Sequence, residues 1–481
     1  MIAPQARTSV VDGVGTQPRA PKHGLRAAEL RLLLASGDLA IGVAAVLVAL
    51  LLWNITAGYP YGPAFVLLHL GWFAAAPAWM VALRTARQPR VAFFVGQTLT
   101  AIVHAAFALL VVYLAVYFYA PRQALPRLMV LHVLWQACLL TFAWRLTFIW
   151  LFTETSLRRR IVVVGTGRAG RALVKVLAES GGGHLQVAGF VDEQGGEGLT
   201  VEGLPVLGSV AALRDIVRRE GAPEIIVALD GIASRDLVQA LVGCQEDGTD
   251  VVQMATVYEQ LLERVPVEYL ESDWVITTFV DAIHARAIWQ GAKRAIDLVG
   301  ALAGLVALAV ATPVVALATA LDSGLPIFLR QVRVGRGGRH FELFKFRTMV
   351  RGAEAEGGAR WAVENDPRVT RVGRWLRRLR IDELPQVINV LLGDMSLVGP
   401  RPERPEFVAE LERRIPFYRT RLLVRPGLTG WAQVSFPYGG SVDGALVKLE
   451  YDLYYIKHRS PSFDARIALR TIGAIAGLKG Q

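Results

Sequence analysis

Apolar runs long enough to cross a bilayer constrain this chain more than any other feature. The first begins near Leu32 and ends near Trp53, a second covers about 63–83, a third 91–119 and a fourth 128–152. A hydrocarbon core about 30 Å thick needs about 20 residues of helix, so each run has the length of a span. Such runs put 53% of the 481 residues in the hydrophobic class, more than water-soluble domains alone carry. Cations flank them unevenly. Arg7, Arg19, Lys22 and Arg26 precede the first run, Arg84, Arg87 and Arg90 separate the second from the third, and Arg158, Arg159 and Arg160 follow the fourth. The 54–62 loop has no Lys or Arg, and the 120–127 loop has only Arg122 and Arg127. Positive-inside bias therefore predicts four transmembrane helices over 31–153 with both ends in the cytoplasm. Asp38 and Arg145 fall inside the first and fourth runs, where they either pair, reach the interface or form a polar site between helices.

Residues 1–30 are polar and basic and lack the early apolar stretch of a signal peptide, which predicts a disordered basic tail. The net charge of +11 is compatible with nucleic acid, but the arginines lie beside apolar runs and carboxylates. Anionic lipid and phosphorylated substrates account better for that placement. Cys138 and Cys244 are the only cysteines, so neither a disulfide framework nor a zinc site is indicated.

A soluble α/β segment is expected over 158–265. Apolar residues 161–164 read as a buried strand, followed at once by Gly165-Thr166-Gly167-Arg168-Ala169-Gly170 and a helical stretch. A second strand over 187–191 ends at Asp192, and 224–229 reads as a further strand. This is a Rossmann-like dinucleotide fingerprint, making Gly165, Gly167, Gly170 and Asp192 candidates for NAD or another nucleotide. The other reading is a tight turn kept for packing. No Tyr-x-x-x-Lys pattern of a sugar dehydrogenase follows it. A linker over 266–289 leads to a fifth apolar run, 296–321. Its two flanks are equally basic, with Arg286, Lys293 and Arg294 before it and Arg330, Arg333, Arg336 and Arg339 after it. Pro313 interrupts the helix ladder in its second half. These features predict a re-entrant helix over 294–322; a fifth spanning helix is the alternative.

The remaining chain centres on Arg380-Ile381-Asp382-Glu383-Leu384-Pro385-Gln386. Proline is tolerated in the first turn of a helix, so the two carboxylates are expected at a helix start, with Arg371, Arg374, Arg377 and Arg378 just upstream. Acids beside phosphate-binding arginines point to phosphoryl chemistry; an ordinary capped helix with a solvated basic face is the plain alternative. Further along stand Gly393-Asp394-Met395-Ser396-Leu397-Val398-Gly399-Pro400-Arg401-Pro402 and Arg425-Pro426-Gly427-Leu428-Thr429-Gly430. Tyr451, Tyr454, Tyr455, Lys457 and His458 form an aromatic and basic patch that is either a site or a packed helix.

Over roughly 290–481 these segments closely resemble the bacterial sugar transferases, the monotopic polyprenyl-phosphate glycosyl-1-phosphate transferases. With the upstream residues, the chain resembles their large, membrane-anchored subgroup. That resemblance implies a mostly helical catalytic domain in a multi-pass protein of the bacterial inner membrane. It implies attack by Asp382 on the β-phosphate of a UDP-sugar, loss of UMP, and transfer of the sugar phosphate to polyprenyl (undecaprenyl) phosphate at the start of exopolysaccharide synthesis. Glu383 would hold Mg²⁺, Arg377 and Arg401 would bind phosphate, and Lys345, Arg347, Lys293 and Arg294 are candidates for the lipid phosphate. Expected partners are the UDP-sugar, polyprenyl phosphate and membrane lipid, with a possible homodimer and no nucleic acid. The rival class is a membrane-bound NAD-dependent nucleotide-sugar oxidoreductase, and a third is a membrane regulator that senses nucleotide.

Overall fold

The computed structural model describes residues 27–57, 62–84, 95–119, 127–153, 159–179, 185–193, 195–270, 287–353, 366–436 and 441–477. Most of the expected tail and linker lies outside these residues. Helix α1 (Ala27–Ala57) starts inside the stretch read as tail, because Leu30 and Leu34 bury against Phe148. The membrane region continues with α2 (Pro63–Leu68), a 3₁₀ turn (Leu70–Ala74), α3 (Ala75–Ala82), α4 (Val95–Tyr119) and α5 (Arg127–Thr153). The second apolar run is thus not one straight span. His69 N–H bonds Val66 O rather than Phe65 O, while His69 Nδ1 lies 2.8 Å from Phe65 O, so the ladder breaks there. Among the described residues, Glu29–Ile55, Met129–Leu151 and Gln290–Ser323 are long and apolar enough to cross a membrane. Leu70–Ala82 and Thr98–Leu114 are shorter apolar helices. Asp38 and Arg145 pair with each other: Arg145 Nη2 donates to both carboxylate oxygens at 2.7 and 2.8 Å, with both residues buried.

The α/β segment forms one six-stranded sheet. Its strands are β1 (Arg159–Val164), β2 (Leu185–Asp192), β3 (Thr200–Val201), β4 (Leu204–Ser209), β5 (Glu224–Val227) and β6 (Asp250–Gln253), in the order β3-β4-β2-β1-β5-β6. The β1–β2 and β2–β4 pairs are parallel, and β3–β4 is an antiparallel edge. An unbroken apolar β1, with Ile161 to Val164 wholly buried, suits a strand covered on both faces. Helices α6 (Arg168–Glu179), α7 (Leu213–Glu220) and α8 (Arg235–Glu246) connect the strands, and α9 (Met254–Leu262) follows β6. The described residues fall into two compact units. One draws on Met1–Val164, Gly181–Ile226 and Ser234–Val251, the other on Gly165–Ser180, Val227–Ala233 and Val252–Gln481.

The second unit holds the acid pair. It continues with α10 (Ala287–Ser323), the antiparallel hairpin β7 (Phe328–Val334) and β8 (His340–Phe346), α11 (Arg371–Arg378), a 3₁₀ turn (Ile381–Gln386) and α12 (Val387–Leu392). Then follow β9 (Ser396–Val398), α13 (Pro405–Arg414), β10 (Gly427–Thr429), α14 (Trp431–Ser435), α15 (Val442–His458) and α16 (Pro461–Ala476). Trp431, Leu453, Tyr455, Ile456, Phe463 and Ile467 form the core, and Val265 and Val267 from the stretch after α9 are packed into it.

Helix α10 is continuous through Pro313, where the sequence predicts a break. Proline removes the N–H that would meet the Ala309 carbonyl, and Thr312 Oγ1 donates to Leu308 O at 2.7 Å, a local bond of the kind that bends helices. One stripe of α10, with Ala301, Leu308 and Val315, is buried on this domain, while Val299, Val306, Val310, Val314 and Leu321 are exposed.

Candidate active site

Asp382 and Glu383 open the 3₁₀ turn Ile381–Gln386, as the proline at 385 predicts. Arg380 precedes them with φ 57°, a left-handed backbone that turns the chain sharply from α11 into the acid pair. Both carboxylates are buried. Asn389 fixes the turn to the β-hairpin: its Nδ2 donates to Glu342 O at 2.6 Å and its Oδ1 accepts from Phe344 N–H at 3.1 Å. Strand β8 thereby presents Lys345 to the acids. Arg401 arrives from the other side, after β9. That strand is clamped to β10 so closely that a Cβ on Gly427 would meet Gly399 N at 2.0 Å, which restricts the position to glycine. Asp297 of α10, itself buried, accepts from Ser396 Oγ at 2.9 Å and Leu397 N–H at 3.0 Å and so anchors β9.

Glu383 is the electrostatic hub. Its Oε1 accepts from Arg401 Nη2 at 2.7 Å and lies 3.6 Å from Lys345 Nζ, and its Oε2 lies 3.7 Å from Arg380 Nη1. Burial pushes the Glu383 carboxyl up, but Arg401, Lys345 and Arg380 together hold it below the usual range. Asp382 moves the other way: burial and the charge of Glu383 raise it, against Lys345 and Arg377. Burial also pushes Lys345 down to about 8, opposed by Glu383. Arg377 is lowered by burial, faces the charge of Asp382, and donates from Nε to Thr348 Oγ1 at 2.9 Å. The two acids are therefore set apart by their surroundings, Glu383 lying among three cations and Asp382 being less well compensated for its burial.

Four of the predicted residues, Arg377, Arg401, Lys345 and Glu383, thus gather with Asp382. The other three cations do not. Lys293 Nζ donates to Asp464 at 2.6 Å, and Arg294 donates to the carbonyls of Val390 and Leu391 at 2.7 and 2.9 Å, closing the end of α12. Arg347 Nη2 donates to the carbonyls of Ser323 and Gly324, closing the end of α10. A helix C-terminus leaves carbonyls unpaired, and arginine is suited to collect them. In this structure these three side chains are engaged in packing bonds away from the acid pair. The aromatic patch is a packed helix: Tyr455 OH donates to Val398 O and Asp464, and Lys457 and His458 meet Glu259 of α9. Arg380 and Thr348 were absent from the predicted set; Arg380 stood in the arginine cluster, whereas nothing local marks Thr348.

The glycine turn carries an internal anion. Asp230 accepts from the N–H groups of Arg168 and Ala169 at 2.6 and 2.8 Å, at the start of α6 where a pyrophosphate would bind. A Cβ on Gly165 would meet Ala228 O at 2.2 Å, and one on Gly167 would meet Asp230 Oδ2 at 2.1 Å. Gly170 is buried within α6. The protein's own backbone and Asp230 thus leave no room for a side chain at Gly165 or Gly167. Asp192 ends β2 as expected, in the other compact unit.

Comparison with known proteins identifies the families that these segments resemble. A family profile described as bacterial sugar transferase matches residues 288–477, and one described as CoA-binding domain matches 82–255. The chain is 43% identical over 229 residues to the UDP-N-acetylgalactosamine-undecaprenyl-phosphate N-acetylgalactosaminephosphotransferase of Aeromonas hydrophila, covering 47% of this chain and 52% of that protein. It is 45% identical over 185 residues to the undecaprenyl-phosphate glucose phosphotransferase of Komagataeibacter xylinus, covering 37% and 35%. It is 40% identical over 186 residues to the exopolysaccharide production protein PSS of Rhizobium leguminosarum bv. phaseoli, covering 37% and 92%. The chain belongs to the bacterial sugar transferase family. It spans about half the length of the Aeromonas relative and less of the Komagataeibacter one.

Proposed function

We propose that this chain transfers a sugar-1-phosphate, a hexose-1-phosphate in the first instance, from a UDP-sugar to undecaprenyl phosphate and thereby starts exopolysaccharide synthesis. The observation that carries this reading is the buried pair Asp382–Glu383 with Arg401, Lys345 and Arg380 gathered on Glu383. An Asp382 oxygen attacks the β-phosphorus, the bond to UMP breaks, and the sugar phosphate stays on the aspartate. A phosphate oxygen of the polyprenyl acceptor then attacks the same phosphorus and frees the carboxylate. Arg401 and Arg377 hold the phosphate oxygens, Arg401 being suited to a bidentate grip. The names of the relatives, which include N-acetylgalactosamine and glucose phosphate transfer, support the substrate class. The test is UMP release from a panel of UDP-sugars with undecaprenyl phosphate; no release from any donor in the panel would sink the proposal.

Mg²⁺ fits the pair. The ion takes one or two protein carboxylates and completes its shell with phosphate and water, and Asp382 and Glu383 offer that many hard donors. Among the described residues there is no ready cage of three or more His, Cys, Asp or Glu. Glu383 would hold the ion, which when bound neutralises the diphosphate and eases departure of UMP.

A dinucleotide does not fit the glycine turn, since its pyrophosphate would meet the Asp230 carboxylate on the same N–H groups. This contact counts against the oxidoreductase reading. Dialysis of the solubilised protein against radiolabelled NAD or coenzyme A is expected to show no saturable binding; stoichiometric retention of either would reverse this conclusion.

We further propose that α10 is re-entrant, bent at Thr312-Pro313, with both soluble regions facing the cytoplasm. Both ends of α10 are tied to the same fold: Lys293 to Asp464 near its start, and Asp322 to the Val372 N–H near its finish. A straight span would carry those ends to opposite sides of a core about 30 Å thick. Cysteines placed singly at Gln290 and Arg336, with Cys138 and Cys244 replaced by alanine, are expected to resist an impermeant thiol reagent in intact spheroplasts. Labelling at one position only would mean a full crossing.

A further inference from the structure

Arg421 belongs to none of the motifs that mark the active site, yet it is bonded to it. It sits in the 3₁₀ turn Tyr418–Leu423 and is buried. Its Nη1 donates to Tyr418 OH at 2.6 Å, while Nη2 donates to the main-chain carbonyl of Arg401 at 2.9 Å and lies 2.8 Å from Asp452 Oδ2. Asp452, on α15, is 1% exposed, so the ion pair is wholly out of water. Such a pair is a poor source of net stability, because desolvating both charges offsets most of their attraction, and apolar residues of similar volume would fill the space as well. Its geometry shows what it supplies instead. The carbonyl that Arg421 holds belongs to the residue whose guanidinium donates to Glu383 at 2.7 Å. Pro400 and Pro402 restrict the backbone on either side, but proline has no N–H with which to tie it down. The anchors of this turn are therefore on its carbonyls: Arg333 Nη1 donates to Pro402 O at 3.2 Å, and Arg421 takes that of Arg401.

We propose that Arg421 is a positioning residue for the transfer: by holding the Arg401 carbonyl, with Asp452 and Tyr418 fixing its own guanidinium, it aims the Arg401 side chain at the diphosphate. The proposal rests on the transferase reading given above. A displacement of about 1 Å in a phosphate-holding group costs on the order of a hundredfold in rate, which sets the scale of the effect.

The test uses the full chain in detergent and UMP release from the UDP-sugar that the panel identifies. Arg421→Met is expected to lower kcat/KM by about 10- to 100-fold, mostly through a raised KM for the UDP-sugar, since donor binding is where Arg401 acts. Arg421→Met combined with Asp452→Leu removes both buried charges and is expected to melt near the parent protein while keeping the same kinetic loss. That pair of changes covers the case in which the single variant fails to fold. In an Arg401→Lys background the Arg421→Met change is expected to cost less than about threefold more, because its effect runs through Arg401. Arg421→Lys, which can still donate to the carbonyl, is expected to recover part of the activity. A double variant with normal melting and kcat/KM within about threefold of the parent would overturn the proposal, as would an undiminished further loss in the Arg401→Lys background. Failure of the transferase reading has its own signature in the same assay: no UDP-sugar releases UMP with the parent protein.

Discussion

Asp382→Asn in the full chain is expected to reduce UMP release by at least about 10³-fold while leaving the protein folded in the membrane. The amide keeps the shape of the side chain and removes the attacking oxygen anion. The environment of the pair explains why position 382, rather than 383, should show this loss. Glu383 is bound to Arg401 and flanked by Lys345 and Arg380, so its charge is already engaged. Asp382 is buried, raised, and faced by Arg377. The pH profile gives a second check. A raised aspartate is ionised only above its shifted value, so the acid limb of kcat/KM should lie above the ordinary 3.8. Lys345 keeps its charge below about 8 and loses it as pH rises through that value, giving an alkaline limb there that Lys345→Arg should move upward. Turnover of Asp382→Asn within about tenfold of the parent would remove Asp382 from the nucleophile's role.

A fragment beginning at residue 290 is expected to fold poorly, whereas one beginning at residue 252 should fold and release UMP. All the acids and phosphate-binding cations of the site lie after 290, which makes the shorter fragment look sufficient on sequence grounds. The structure argues for the longer one. Val265 and Val267 are 0% and 1% exposed within the core of α14–α16. Glu259 holds Lys457 at 2.8 Å, Glu263 holds Arg466 at 2.9 and 3.0 Å, and Trp431 Nε1 donates to Glu263 O at 2.9 Å. Losing two buried valines alone removes about 3–6 kcal/mol of burial, against a total stability of about 5–15 kcal/mol for a typical domain. At about 2–4 °C per kcal/mol for a domain of this size, a melting difference of roughly 6–24 °C follows. Equal melting and equal activity of the two fragments would show that the 252–289 stretch is dispensable.

Most of the patterns that the sequence carried locally reappear in the structure, although the break expected at Pro313 does not interrupt α10. Long apolar runs became helices, except where the bonding around His69 breaks the second one. A four-residue apolar run before glycine became β1, and an acid pair just before proline became the first turn of a short helix. These readings work because helix and strand periods, proline's fixed φ and glycine's freedom act within a few residues of one another. The choice among cations was of a different kind. Lys293, Arg294, Arg347, Lys345 and Arg401 are alike as charges in sequence, and each has an anion or carbonyl it could meet. The fold distributes them: Lys293 meets Asp464 of α16, Arg294 closes the end of α12 and Arg347 the end of α10, whereas Lys345 from β8 and Arg401 from the stretch after β9 come to Glu383. Asp230 reaches the glycine turn from 62 residues away, and Arg421 reaches Arg401 across 20. A guanidinium or carboxylate bonds whatever partner the fold brings within about 3 Å, and that partner is set by contacts distant in sequence, which no local spacing encodes.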